Sequence, residues 1–385
     1  MKSKAFPPIL IAIIALSAIG FIVWLMYGPS TKGIPKQESG NSSLEDYYNT
    51  AKDLKKDKDQ LTEVSFLAVG DIMLSRDVAT KMSANGKDGF FPFRNIEPLL
   101  ESTNFNFGNL ESPFSGIDAQ DPDPNTFTFN APTWAMKGLS QYNFKVLNLA
   151  NNHALNQGKD GLLFTRKYLT ENYLTSVGAG NTTEEAWAGT VHNAEGIKIG
   201  FTGATYAPSS PNLAQITDLV NLKKSVEKLK AESDFVVVTM HAGEEYTREP
   251  NTSQTKFAKA AIDYGADMVI GAHPHWVQTM EQYKGKYIFY SLGNFVFDQN
   301  WSQETSEGLT LKISLTKKGA CIPQRGGSAC TSDIQGNPTT ATLKQIELIP
   351  VIIENNSQPR VANLTEKQNI LKKIGVTTSV ITPSY

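Results

Sequence analysis

The chain has 385 residues, of which 40% are hydrophobic and 19% charged, a balance that allows a sizeable globular core. That length fits two to three domains, or one larger α/β domain with extensions. A formal net charge of −2 argues against the strongly basic face that holds nucleic acid or hugs an anionic membrane, so no nucleic-acid partner is expected.

The N-terminus is predicted to be a membrane anchor. Lys2 and Lys4 precede an apolar run from Pro7 to Tyr27. From Ile9 the run has about 19 uncharged residues, enough to cross the roughly 30 Å of a bilayer core as a helix. Trp24 and Tyr27 stand at its far end, where aromatic rings favour the interface. The positive flank orients the N-terminus inward and the remainder outside the plasma membrane, a single-pass arrangement. The alternative is a cleaved signal peptide, but the small residues Ser17, Ala18 and Gly20 lie inside the run and no small-x-small site follows it. Residues 28–61 are polar, with Gly, Pro and Ser early and charges late, and read as a flexible tether.

A single domain over residues 62–355 is expected next. Ser65–Val69 reads as a buried strand emptying into Gly70-Asp71, and Asn104–Phe107 as a second strand closely followed by Glu111. A helix is predicted over Thr133–Gln141 with Thr133 as its N-cap. Lys145–Leu149 reads as a strand ending at Asn151-Asn152-His153, Gly161–Thr175 as a helix and Ile197–Thr202 as a strand. In the second half, Leu222–Ala231 and Ser253–Tyr264 read as helices. The latter carries a stripe of Phe257, Ala260, Ala261 and Tyr264 and stops at Gly265. Strands are predicted at Phe235–Met240, running into His241, at Met268–Ile270, followed by His273 and His275, and at Tyr287–Ser291. Gly308–Thr316 and Ala341–Ile353 alternate like antiparallel strands. Between them, in a Gly/Pro/Ser-rich stretch, lie the only two cysteines, Cys321 and Cys330. Outside the cytoplasm such a pair can close a loop as a disulfide, two free thiols being the alternative. Residues 356–385 form a polar C-terminal extension with a short helix near Thr365–Ile374 and a loose end. Strands alternating with helices give an α/β architecture with extensive sheet.

Asp71, Glu111, Asn152-His153, His241 and the His273/His275 pair share one feature: each follows directly on a predicted strand. In open α/β sheets ligands bind beyond the carboxyl ends of strands, so residues distant in sequence can converge there. Four of the five histidines take part, and His192, in a polar stretch, is expected to face solvent. Carboxylate, amide oxygen and imidazole together suit Mn, Fe or Zn, and a bridging carboxylate can hold two such ions. Each residue also has an ordinary reading: Asp71 as a turn cap, Glu111 as a solvated loop carboxylate, Asn152 as a local backbone partner, the histidines as satisfied polar side chains.

The segments AVGDIMLSRDV, FNFGNLESPFS, LANNHALNQGKDG, HAGEEY, GAHPHWVQ and YSLGNFVFDQ occur in that order. Together they resemble the bacterial capsule-synthesis protein family of CapA type, linked to poly-γ-glutamate and similar to a distant branch of the calcineurin-like metallophosphoesterases. The resemblance covers roughly Val64 to Gln299. It implies a metallophosphatase-like layered α/β sandwich, with Asp71, Glu111, Asn152, His241, His273 and His275 as ligands of one or two divalent ions and His153 as the acid that protonates the leaving group. It also implies substrate contacts from Glu245 and Tyr246, while Asn294 and Asp298 serve substrate or turn. Arg76 is a further substrate contact, able to pair with polymer carboxylates, or a plain surface arginine. One departure stands out: the DxH that usually opens the superfamily pattern is absent before Gly70-Asp71. The expected function is metal-dependent hydrolysis of a phosphoester or γ-glutamyl amide in poly-γ-glutamate capsule synthesis or export. The polymer and membrane synthase subunits are the expected partners. The alternatives are a non-catalytic polymer-binding subunit of such a synthase, and a general secreted phosphatase.

Overall fold

The structure, a computed structural model, describes residues 61–117, 126–318 and 340–383. The expected anchor and the Cys321/Cys330 pair lie outside the described residues. Among the described residues no helix is long and apolar enough to cross a membrane.

The strands, in chain order, are β1 (Leu61–Ile72), β2 (Phe105–Leu110), β3 (Phe144–Asn148), β4 (Thr175–Val177), β5 (Thr190–Ala194), β6 (Ile197–Thr205), β7 (Phe235–His241) and β8 (Met268–Ala272). They continue with β9 (Met280–Tyr283), β10 (Lys286–Phe289), β11 (Asn294–Val296), β12 (Glu307–Lys318), β13 (Thr342–Glu354), β14 (Gln358–Val361) and β15 (Val380–Ile381). They form two sheets. The first runs β14-β13-β12-β1-β2-β3-β4, with β11 added beside β1 and β15 beside β13; the second runs β5-β6-β7-β8-β10-β9. At the centre of each sheet the strands are parallel: β1-β2-β3-β4 in one, β6-β7-β8-β10 in the other. The β12–β13 pair is antiparallel, as its alternation predicts.

The period-2 pattern of β1 shows why the sheets stack. Val64, Phe66 and Ala68 point into a core shared with Phe201, Val237, Ile270 and Phe289 of the second sheet, while Leu67 and Val69 point to the outer face. Rings pack across that inner layer, Phe66 stacked on Phe105 and Phe107 on Phe201, with Phe201 meeting Phe66 and Phe105 edge-on. The five longer helices are α1 (Arg76–Ala84), α2 (Gly158–Glu171), α3 (Leu219–Glu232), α4 (Thr252–Asp263) and α5 (Leu364–Lys373). Helices α1 and α2 bury Val78, Ala79, Met82, Leu162 and Leu169 on the outer face of the first sheet. Helices α3 and α4 bury Leu222, Val226, Leu229, Phe257 and Ala261 on that of the second. The result is a layered α/β sandwich, sheet on sheet with helices outside.

Several local expectations are corrected. Thr133 does not cap a helix: Pro132 takes the N-cap place, Thr133–Ala135 is a 3-10 turn, and regular helix runs only from Met136 to Gln141. The helix predicted to reach Thr175 ends at Glu171, and Thr175 opens β4. His192 does not face solvent. It sits on the edge strand β5, half-buried with its ring 4.3 Å from that of Phe105, where the inner layer claims it despite polar neighbours. The C-terminal end is not loose, because β14 and β15 both pair with β13, and α5 buries Ile370 and Leu371.

Candidate metal centre

The carboxyl ends of the parallel strands in both sheets open on one site. Asp71 lies at the end of β1, Glu111 one residue past β2, Asn152 and His153 just after β3, His241 at the last position of β7, and His273 and His275 just after β8. β11 runs parallel to β1 and brings Asn294 level with Asp71. This approach explains Gly70: a Cβ there would stand 1.9 Å from the Gly293 carbonyl oxygen, so only glycine lets the chain deliver Asp71, whose N–H donates to that same oxygen at 3.0 Å.

Asp71, Glu111 and His241 are fully buried, and His273 and His275 nearly so. One ligand atom each from Asp71, Glu111 and His275 can be chosen so that all lie within 4.8 Å of one another. His275 Nδ1 stands 3.5 Å from Asp71 Oδ2 and its Nε2 3.8 Å from Glu111 Oε1. His241 Nδ1 stands 3.8 Å from Asp71 Oδ1 and its Nε2 3.9 Å from Glu111 Oε1. His153 Nε2 lies 3.8 Å from Glu111 Oε1. Glu111 is thus the hub, yet neither of its carboxylate oxygens has a hydrogen-bond partner. Burial, then the charge of Asp71, pushes its pKa well above the usual carboxylate range. His273 Nδ1 is likewise buried without a partner, and burial together with His275 pushes that ring down to about 3. Burial also keeps His241 well below the ordinary histidine value. Orphaned carboxylate oxygens beside a second carboxylate and neutral imidazoles form a donor set that a divalent cation completes. The residues present therefore fit such an ion.

The backbone here is strained. Arg76, Tyr246, His273 and His275 all adopt positive φ, at 46°, 62°, 101° and 59°, a region costly for residues with a Cβ and concentrated at functional sites. Arg76, expected at the surface or on substrate, is instead buried. It pairs with Asp298, and its guanidinium lies 4.9 Å from the centre of the Phe129 ring. Burial raises the Asp298 pKa, and Arg76 opposes that rise. Tyr246 and exposed Glu245 stand at the mouth. Burial, then Glu245, raises the Tyr246 phenol, whose ring meets the exposed Trp301 edge-on at 5.9 Å. Tyr206 closes over His273 at 4.5 Å between ring centres.

Sequence reasoning missed a group of asparagines. Asn109 Nδ2 donates to Asp71 Oδ1 at 2.8 Å and lies 3.1 Å from His241 Nδ1. Asn148 Nδ2 donates to Asn109 Oδ1 at 2.9 Å, and Asn151 Nδ2 donates to the Leu110 carbonyl at 2.8 Å. Asn156 Oδ1 lies 2.9 Å from His153 Nδ1 and accepts from the Phe129 N–H at 2.7 Å, while Phe129 stacks on the His153 ring at 3.9 Å. The one available signal was polarity inside FNFGNLES and next to the NNH pair, at strand ends where an amide has no solvent to meet.

A family model described as bacterial capsule synthesis protein PGA_cap matches residues 65–299, the stretch that carries every site residue above except Trp301. The chain belongs to this family. The capsule biosynthesis protein CapA of Bacillus anthracis is 31% identical over 331 residues, covering 82% of this chain and 74% of that protein. The PGA biosynthesis protein CapA of Bacillus subtilis is 33% identical over 270 residues, covering 68% and 70%. A phosphatase structure from Mycoplasma pneumoniae overlays 82% of this chain and 100% of its own, at 12% identity and a TM-score of 0.42. The resemblance read from the six motifs therefore holds, and this family member has its motifs gathered at one end of the sandwich.

Proposed function

We propose that this protein is a metal-dependent hydrolase of metallophosphatase-like build that acts in poly-γ-glutamate capsule synthesis or export. Residues 1–27 would hold it at the plasma membrane, with the α/β domain outside, beside membrane synthase subunits. The observation that carries the proposal is the buried, unpartnered Glu111 carboxylate set against Asp71 and His275. Asp71, Glu111 and His275 would hold a divalent ion of the Mn, Fe or Zn type, which supplies Lewis acidity toward water and toward a phosphoryl or amide carbonyl oxygen.

The chain's own proton handling falls to His153. Asn156 Oδ1 can only accept, so hydrogen-bond geometry assigns the proton of the neutral ring to Nδ1 and leaves the Nε2 lone pair toward Glu111. Burial, outweighing the Asn156 hydrogen bond, lowers the pKa of this ring. A proton passed to a leaving group would depart from Nε2, the nitrogen that faces Glu111. Phe129 and Asn156 prevent the ring from turning away. Tyr206, Tyr246, Glu245 and Trp301 line the rim where substrate would enter.

The test is turnover of γ-glutamyl oligomers and of simple phosphomonoesters by the full-length chain with Mn2+, beside its His153→Ala variant. Loss of about 10²–10⁴-fold in kcat with the ion retained supports hydrolysis through His153; unchanged turnover contradicts it. A second reading, a non-catalytic polymer-binding subunit, draws on the spare ligand set: among the described residues only Asp71, Glu111 and His275 form a group of three within ligand reach. Polymer handling that survives His153→Ala intact would favour it.

A further inference from the structure

A cavity of about 510 Å³ lies between helix α3 and residues 183–188, and no residue of the metal centre lines it. Trp187, on one wall, shares the apolar layer outside the second sheet with Leu222, Val226 and Leu229 of α3. Gly189 lets the two walls come together. A Cβ there would stand 2.9 Å from the Phe201 carbonyl oxygen and 3.0 Å from Leu229 Cδ1, and its φ is +65°.

The α3 wall carries Asn221, Lys224, Ser225 and Lys228, one stripe of the helix at i, i+3, i+4 and i+7. Two of these are already engaged. Asn221 Nδ2 donates to Asp218 Oδ2 at 2.7 Å, and the Ser225 hydroxyl to Thr202 Oγ1 at 3.0 Å. The flanking lysines of the helix are paired as well, Lys223 with Glu227 at 3.7 Å and Lys230 with Asp267 at 2.7 Å. Among the described residues Lys224 and Lys228 have no such carboxylate; Lys228 Nζ donates only to the Ala188 carbonyl, at 3.3 Å. Glu184 is the one acid lining the cavity, so two positive charges face one negative.

Trp187 supplies a third donor. The residue is 5% exposed, and its Nε1–H is buried without a partner. A buried donor left unpaired is costly, and beside a cavity it marks a place for an acceptor. Indole and ammonium groups donate only. The unengaged polar atoms therefore suit an anionic acceptor, and the volume admits a whole acidic residue rather than a bare ion.

We propose that this cavity binds a side-chain carboxylate of an acidic chain, and is a second holding point for the γ-glutamyl polymer apart from the metal centre. The choice of polymer rests on the poly-γ-glutamate reading above and deepens it. A chain held at two points stays near one when it leaves the other, which raises its effective concentration there.

The experiment is calorimetric titration of the full-length chain with a short γ-linked glutamate oligomer, in chelator so that the metal centre takes no part. The expected result is binding to the wild type that weakens about tenfold or more in the Lys224→Gln/Lys228→Gln variant, the scale of lost charge-assisted hydrogen bonds. Both lysines are exposed, so the Tm of that variant should not move. Trp187→Phe keeps an aromatic ring, removes the donor and should also weaken binding; should it not fold, the lysine variant decides alone. No binding to the wild type, or equal binding by the lysine variant or by a γ-linked glutamine oligomer, would overturn the proposal. Displacement of the oligomer by inorganic phosphate at equal concentration would make this a phosphate site and overturn the polymer assignment. Turnover with Mn2+ is read separately. Hydrolysis without binding in chelator would sink this site and spare the metal centre, and binding without hydrolysis would do the reverse.

Discussion

Replacing Glu111 by Gln should stabilise the metal-free protein and abolish its stabilisation by divalent ions. Glu111 is fully buried, neither oxygen has a partner, and Asp71 adds a like charge beside it. A buried polar group without a partner costs about 1–3 kcal/mol, and a charged one more. The amide is close to the same size, carries no charge at any pH, and can donate toward Asp71, as the acid can only after taking up a proton. A gain of about 1–3 kcal/mol is therefore expected in the metal-free state. At the scale of a large domain, where 1 kcal/mol moves Tm by about 2 °C, this is a rise of roughly 2–6 °C. The wild type should instead gain about 2.7 kcal/mol from an ion at a hundred times its Kd, and the variant none of it. Thermal unfolding of both proteins, in chelator and in excess Mn2+, reads both effects at once. A fall in the metal-free Tm on Glu111→Gln would mean that the carboxylate serves the fold, and a retained Mn2+ shift would mean that it does not hold the ion; either result refutes the reasoning.

Gly70→Ala should cost about 3 kcal/mol or more in urea unfolding, because its Cβ would meet the Gly293 oxygen at 1.9 Å and two backbones must part; a loss below 1 kcal/mol, on the same order-of-magnitude scale, would show that β1 and β11 can separate freely. Removing one partner of the buried Arg76–Asp298 pair, as in Arg76→Met, should destabilise by about 3 kcal/mol, and the double variant with Asp298→Leu should recover part of that loss. No recovery would mean that Arg76 acts through its contact with Phe129 instead. His192 has its pKa lowered by burial and then by Lys145, so the unfolded chain takes up a proton that the folded one resists. Its contribution to stability is present above the unfolded value near 6.5 and is lost as pH falls through that value toward the folded pKa. His192→Gln should flatten the fall of Tm over that window, and an unchanged pH profile would contradict it.

The strands that deliver the site were legible because each is a short apolar run ending abruptly in a polar residue: FLAV before Gly70-Asp71, FVVVTM before His241, MVI before Gly271 and the H-P-H triplet. Burial on both faces of a parallel strand leaves that signature. The division into two sheets was not legible, since local pattern does not state which strand pairs with which, and β1 joins antiparallel β12 on one side and parallel β2 on the other. His192 misled for a related reason: on an edge strand its neighbours are polar while its own side faces the Phe105 ring. Arg76 was read as a substrate contact or a plain surface arginine because composition gives no hint that Asp298, 222 positions away, would reach it. Asn109 was the deepest omission. An asparagine in a strand has no spacing rule, and its importance arises only from what the neighbouring strands set against it.

The most direct measurement is anomalous diffraction at the manganese edge from crystals grown with Mn2+. The expected result is one peak within bonding distance of Asp71, Glu111 and His275. Ordered crystals with no peak there, or with a peak elsewhere in the molecule, would contradict the account.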